Sequence, residues 1–175
     1  MLNYRKGLKV HIRWMIRRDM SEVLDIEKES LEFPWVEEDF IRCLRQRNCI
    51  GMVAERNTNI LGYMVYELFH NRIRLMRLAV QVGSSRQGIG TQMMDKLKAK
   101  LPNSRRSKIT VPVWERNLDA QLFLRAMGFR AVKTLRGRYS NGDAQYFMVF
   151  QKPKSIEDFG GGIEDTPREL RGDYR

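Results

Sequence analysis

The segment richest in chemical potential runs from Leu78-Ala79-Val80 into Ser85-Arg86-Gln87-Gly88-Ile89-Gly90. An apolar strand that turns through glycines into a helix leaves several amide N–H groups without partners. The helix dipole makes that end positive, so it suits phosphate. Gly88 and Gly90 remove side chains where a pyrophosphate must approach the backbone, and Arg86 adds a cation. The turn is not a Rossmann fingerprint, because Met93 stands where the third glycine belongs. It is not a P-loop either, because no Gly-Lys-Ser/Thr follows.

The other candidates are scattered. Phe33-Pro34-Trp35 sets two large aromatics around a proline, and two uses are open: a core plug or a pocket wall. Tyr139 lies in the turn Tyr139-Ser140-Asn141-Gly142-Asp143, where tyrosine has no turn-forming use, so a substrate-side role is one reading. Glu115 follows a strand that contains Pro112; it reads as an exposed loop acid or as an acid able to swing toward a site. His11 and His70 have no second ligand at metal spacing, and no metal is expected.

The elements that must position these groups alternate steadily as far as residue 154. His11 to Ile16 reads as a strand. Asp19-Met20-Ser21-Glu22 has the D-x-x-E form of a capping box, opening a helix to about Ser30, and Pro34 breaks the next segment. Phe40, Cys43 and Leu44 mark a second short helix. Cys49 to Glu55 and Ile60 to Phe69 are strands joined by the hairpin signal Asn57-Thr58-Asn59, and Arg72 to Val80 is a third. The helix after the glycine turn buries Ile89, Met93, Met94, Leu97 and Leu101. Ile109 to Trp114 is a strand; Asn117 caps a helix to Met127 with Gly128 as its C′ residue. Phe129 to Leu135 and Gln145 to Gln151 close the domain. Antiparallel hairpins followed by a strand–helix–strand crossover predict an α+β fold: one mixed, mostly antiparallel sheet of about seven strands flanked by helices.

The chain has 175 residues, enough for one domain and a tail, and a net charge of +11. Residues 155–175 carry six acids and three arginines, net −3, which leaves +14 on residues 1–154. Phe159-Gly160-Gly161-Gly162 and the mixed charges after it cannot bury enough apolar surface, so residues 155–175 are expected to be a mobile acidic tail. A body of +14 attracts polyanions, which admits RNA or a ribosome surface as partners beside the reading of a merely solvated basic surface. No apolar run reaches the ~18–20 residues of a membrane span, and the basic start is not followed by a secretory apolar stretch. With Cys43 and Cys49 alone, neither a disulfide framework nor a cysteine zinc site is expected, and the compartment is read as reducing and cytoplasmic.

The glycine turn with its preceding strand resembles motif A of the GNAT acetyltransferases, in which such a turn holds acetyl-CoA. Asn117 and the helix ending Ala126-Met127-Gly128-Phe129 resemble motif B. Phe33-Pro34-Trp35 and the Tyr139 turn are similar to the RimI branch, which acetylates protein N-terminal amines, ribosomal proteins included. The resemblance covers roughly residues 11 to 151. It implies that Leu78, Ala79 and Val80 offer backbone to the pantetheine arm, that Ser85, Arg86, Gln87, Gly88, Ile89 and Gly90 hold the pyrophosphate, and that Asn117 approaches the thioester end. It places Phe33, Trp35 and Tyr139 on the acceptor side and implies a splay beside Pro112. It also exposes departures. The family usually has Gln or Arg where Ser85 stands. Where RimI-type enzymes carry a glutamate base and a tyrosine acid, this chain has Pro112 and Leu124, which leaves Tyr139 and Glu115 as catalytic candidates. The implied activity is transfer of acetyl from acetyl-CoA to a primary amine, most naturally a protein α-amine. The rival reading is a GNAT domain that binds acetyl-CoA or RNA without turnover.

Overall fold

The computed structural model describes residues 7–102, 105–139 and 141–152. The expected tail lies outside the described residues. Seven strands form one sheet: β1 (His11–Trp14), β2 (Cys49–Arg56), β3 (Asn59–Leu68), β4 (Arg72–Val80), β5 (Lys108–Trp114), β6 (Arg130–Leu135) and β7 (Gln145–Gln151), in the order β1-β2-β3-β4-β5-β7-β6. Among the described residues the α-helices are α1 (Met20–Ser30), α2 (Glu37–Leu44), α3 (Ile89–Lys98) and α4 (Leu118–Ala126). Only β4 and β5 pair in parallel, as the crossover through α3 requires.

Alternation along the strands divides the core into two layers. Met52, Met64, Tyr66, Ile73 and Leu75 face α3, whose stripe of Ile89, Met93, Met94 and Leu97 is fully buried against them. Val53, Tyr63 and Val65 point to the other face and pack with Val23, Ile26 and Phe40 of α1 and α2. Burying a side chain of this size contributes about 1.5–3 kcal/mol, so the two layers dominate the stabilising energy. The β2–β3 hairpin turns through Asn57 and Thr58, both left-handed (φ 50° and 70°), as the primed two-residue turn demands.

Three expectations need correction. Asp19 does not cap α1; its carboxylate accepts both Nη groups of Arg13 (2.7 and 2.9 Å) and the N–H of Ile16 (2.8 Å). A bidentate guanidinium outcompetes a helix amide for that carboxylate, and Arg13 holds the Asp19 carboxyl below its ordinary pKa. Glu22, the other half of the expected box, accepts the N–H of Ile60 (3.0 Å) instead. The cysteines are the second correction. Cys43 at the end of α2 and Cys49 at the start of β2 are joined by a disulfide, their Cα atoms 6.0 Å apart. The short return from α2 into the sheet sets that distance, which falls within disulfide range. A single bond is not the disulfide framework that the sequence reading excluded, but the pairing itself was not expected from two cysteines. Third, Phe129 belongs to the core (2% exposed) and not to β6, which begins at Arg130.

Candidate active site

The site begins where the sheet opens. β4 and β5 pair only at Arg72–Lys108, Ile73–Ile109 and Arg74–Thr110. Just beyond, β4 carries an extra residue, Met76, opposite the Val65/Tyr66 step of β3, and such a bulge bends a strand away from its neighbour. Leu78, Ala79 and Val80 still pair with β3 through Met64, Tyr63 and Gly62, but among the described residues have no strand on their other side. Pro112 stands two residues past the last β4–β5 pair, so its missing N–H costs no bond toward β4.

A cleft of about 770 Å³ occupies this opening. Leu78, Ala79, Val80, Ser85, Arg86, Gly88, Ile89, Gly90 and Asn117 line it, and so do Phe33, Trp35 and Tyr139. The structure thus brings together nearly every residue singled out in the sequence. Gln87 is not on the cleft wall; its carbonyl accepts the Leu8 N–H (2.8 Å). Glu115 is also away from the cleft wall. Its N–H donates to the Ala144 carbonyl (3.1 Å) and its carboxylate accepts the Ala144 N–H (2.8 Å), so it clamps the start of β7 and is not poised to swing.

The glycine turn has the backbone that its residue types suggest. Gly88 is left-handed at φ 80° and Arg86 at 59°. The first helical bond of α3 is from Gln92 N–H to the Gly88 carbonyl; the Ser85 N–H is taken by the Val82 carbonyl (3.2 Å), and the amides of residues 86–91 make no backbone bond among the described residues. A side chain at Gly90 would meet Phe123 and Val80 at ordinary contact distances, so the protein interior does not itself require glycine there. The Gln92 side chain ties the turn down from behind: its Nε2 donates to the carbonyls of Leu8 (2.7 Å) and Gly88 (3.2 Å), and its Oε1 accepts the Val10 N–H (3.3 Å). Asn117 caps α4, its Oδ1 accepting the Ala120 N–H at 3.0 Å.

At the other end the walls are aromatic. Phe33 stacks on Tyr139 (4.9 Å) and meets Trp114 edge-on (5.1 Å). The indole N–H of Trp114 donates to Asp143 (2.9 Å), a buried carboxylate that also receives Asn141 (2.7 Å) and Arg116 (2.9 Å). The Tyr139 hydroxyl accepts a long bond from Gln145 (3.4 Å). Behind Phe33 and Trp35 lies a buried ion pair. Glu27 is fully buried and 3.4 Å from Arg77 Nε; it accepts the Trp35 N–H (2.7 Å), while Arg77 donates to the Phe33 carbonyl (3.1 Å) and covers the Trp35 ring (4.5 Å). Burial raises the Glu27 carboxyl pKa and lowers that of Arg77.

Sequence reasoning missed Trp114, Asp143, Glu27, Arg77 and Gln92. Asp143 had a detectable signal, since an aspartate after Asn-Gly is a turn residue. Its bond to an indole 29 residues away had none. Leu124 is core, 3% exposed, and forms part of the cleft floor. Among the described residues no three His, Cys, Asp or Glu side chains converge as metal ligands, and no helix is long and apolar enough to cross a membrane.

The model of the acetyltransferase (GNAT) family matches residues 13–129. The chain belongs to the GNAT acetyltransferase family. It is therefore an acyltransferase, and the family uses acetyl-CoA. An N-alpha-acetyltransferase of Sulfurisphaera tokodaii is 25% identical over 158 residues, covering 83% of this chain and 95% of that protein. The ribosomal-protein-S18-alanine N-acetyltransferase of Escherichia coli superposes with a TM-score of 0.76 at 19% identity, over 86% of this chain and 98% of that one. Arabidopsis thaliana Naa50, solved with the bisubstrate analogue CoA-Ac-MVNAL, gives 0.70 at 15% identity over 82% and 99%. The two structural likenesses establish the GNAT fold for this chain.

Proposed function

We propose that this GNAT enzyme acetylates the N-terminal α-amine of a protein, a ribosomal protein being one candidate, by direct attack of the amine on acetyl-CoA. One observation carries the reading: a single cleft joins an unpaired strand edge, and a turn whose amides at residues 86–91 make no backbone bond among the described residues, to an aromatic wall. The edge at Leu78–Val80 fits the two amides of pantetheine, which can bond to it as a neighbouring strand would. The turn from Ser85 to Gly90 fits the pyrophosphate, with amide–phosphate bonds worth ~1.5–3 kcal/mol each. Asn117 stands on the cleft wall with its Nδ2 free of the capping bond. Phe33, Trp35, Trp114 and Tyr139 form the acceptor end.

In the reaction the neutral amine forms a C–N bond to the thioester carbonyl carbon. The C–S bond then breaks and the amine's proton passes to the leaving thiolate. Glu115 is committed to Ala144, and Pro112 and Leu124 cannot titrate, so these positions offer no base. An α-amine with a pKa near ~7.7–8.0 needs little help, whereas a lysine near ~10.4 would need much more. Positioning by the aromatic wall therefore carries most of the rate, and the Tyr139 hydroxyl orients the amine or relays the amine's proton to the thiolate, ending protonated as it began.

The experiment is incubation with acetyl-CoA and a panel of N-terminal peptides, read by mass shift across pH. The kcat/KM profile should follow the peptide's own amine and level off near ~8. Tyr139→Phe should lower kcat more than it raises KM. Acetylation of internal lysines in preference to the α-amine would refute the acceptor class. An inflection near ~6 that ignores the peptide would reveal a protein base.

A further inference from the structure

At the end of the sheet where β4 and β5 begin, opposite the open edge at Leu78–Val80, the strands run into a row of connections stitched by backbone bonds. Leu68 N–H donates to the Asn48 carbonyl (2.7 Å), Ser107 N–H to Asn71 (3.2 Å) and Lys152 N–H to Ser107 (2.8 Å). The register sets Arg72 beside Lys108, and Lys108 beside Gln151. Arg47 and Arg105 are exposed along this row, and Arg72, Lys108 and Lys152 are half-buried in it. From β2 to β7 it crosses four strand spacings, about 19 Å. The Arg72 guanidinium lies over the Phe69 ring at 4.3 Å, so its head is held at the row. None of the five cations forms an ion pair among the described residues. The described residues of these connections include no carboxylate, and Glu67 stands one residue before the end of β3. The chain does not lack acids: Glu29, Glu32, Glu37 and Glu38 gather on the α1–α2 side, away from the row.

We propose that this basic end docks on the phosphodiester backbone of RNA, with the acetyltransferase cleft facing away. Like charges set side by side repel one another, and here the fold aligns them without counter-charges, as a polyanion site requires. The row consists of strand ends and loops, which cannot enter a B-form major groove as a helix does; A-form RNA is bound through backbone and shape. A bilayer surface would call for apolar anchors, and among the described residues none of the exposed large hydrophobic side chains lies in these connections.

The test is fluorescence anisotropy of the full chain with a labelled single-stranded RNA 20-mer and an RNA hairpin over a salt series. Five phosphate contacts at ~0.7 each give a log K against log salt slope near −3.5 for the single strand. The variant Arg47→Gln, Arg72→Gln, Lys108→Gln, Lys152→Gln should weaken binding more than ~10-fold near 0.1 M salt and reduce the slope by about 3. The equally neutralised variant Arg18→Gln, Lys28→Gln, Arg56→Gln, Arg136→Gln should keep the slope. Acetyl-CoA binding should survive in both, which separates this proposal from the reading of the cleft and certifies folding. If the fourfold variant does not fold, the pairs Arg47→Gln with Arg72→Gln and Lys108→Gln with Lys152→Gln should each remove about half the slope. Equal losses in the two fourfold variants would overturn the proposal, as would no RNA binding at low salt. So would tighter binding to duplex DNA of the same length or to phosphatidylglycerol vesicles.

Discussion

On the proposed function, Asp143→Ala should separate the acceptor end of the cleft from its cofactor end. The carboxylate is 6% exposed and accepts the Trp114 indole at 2.9 Å and the Asn141 amide at 2.7 Å. Its third partner, Arg116, is 67% exposed, so that pair adds little. Two hydrogen bonds to a charged acceptor are together worth about 3–6 kcal/mol, and water recovers part of this for the half-buried donors. A net loss of about 3 kcal/mol lowers Tm by roughly 6–12 °C in a chain of this size. Freeing the indole also loosens the Phe33–Trp114–Tyr139 cluster, and misplacement of the acceptor should reduce kcat/KM for peptide by roughly 10- to 100-fold. The acetyl-CoA dissociation constant, measured by calorimetry below the lowered Tm, should stay within about twofold, because no Asp143 contact reaches β4 or the glycine turn. Asp143→Asn, which keeps an acceptor oxygen for Trp114, should recover most of the activity. Parallel loss of peptide and acetyl-CoA affinity, or no change in either, would refute the division of labour.

Gly88→Asp should abolish the rise in Tm that acetyl-CoA produces, and Gly88→Ala should show the share due to backbone alone, about 1–2 kcal/mol for a side chain at φ 80°. Gln92→Ala unties Leu8 and Gly88, so the acetyl-CoA KM should rise several-fold while the peptide KM stays constant, as steady-state kinetics will show. Asp19→Asn tests the Arg13 pair: the Asp19 pKa is depressed in the fold, so its stabilisation is present above pH 3.8 and is lost as pH falls through the lower folded value. Urea denaturation should find the variant weaker at neutral pH, with the two proteins converging in acid.

Much of the architecture was legible because its signals are local. The period-2 strands, the stripe Ile89-Met93-Met94-Leu97 and the Asn117 cap are each written within one segment, and the structure realises them. The glycine turn could be read for the same reason. What escaped depends on partners distant in sequence. Asp19 looked like a cap until Arg13 claimed its carboxylate, and the pairing of Cys43 with Cys49 follows from how α2 returns to the sheet. Trp114 looked like a strand terminus, and only the fold brings it to Phe33 and Asp143. The buried Glu27–Arg77 pair joins α1 to β4, and nothing in either local pattern announces it.

The open edge of β4 presents peptide groups, and a peptide group is the same whatever side chain it bears. Residues 78, 79 and 80 can therefore exchange among apolar types that satisfy the core without altering the donors and acceptors offered on that edge; only proline would delete one. The cleft's other end is built from side chains, where each replacement changes shape or polarity. Inheritance should act unevenly on such a molecule. On the proposed function, hold on the shared thioester is buffered against sequence drift, while choice of acceptor can be rewritten by one or two substitutions around Trp114. A fold that separates these tasks between backbone and side chain can change what it modifies and keep the donor it uses.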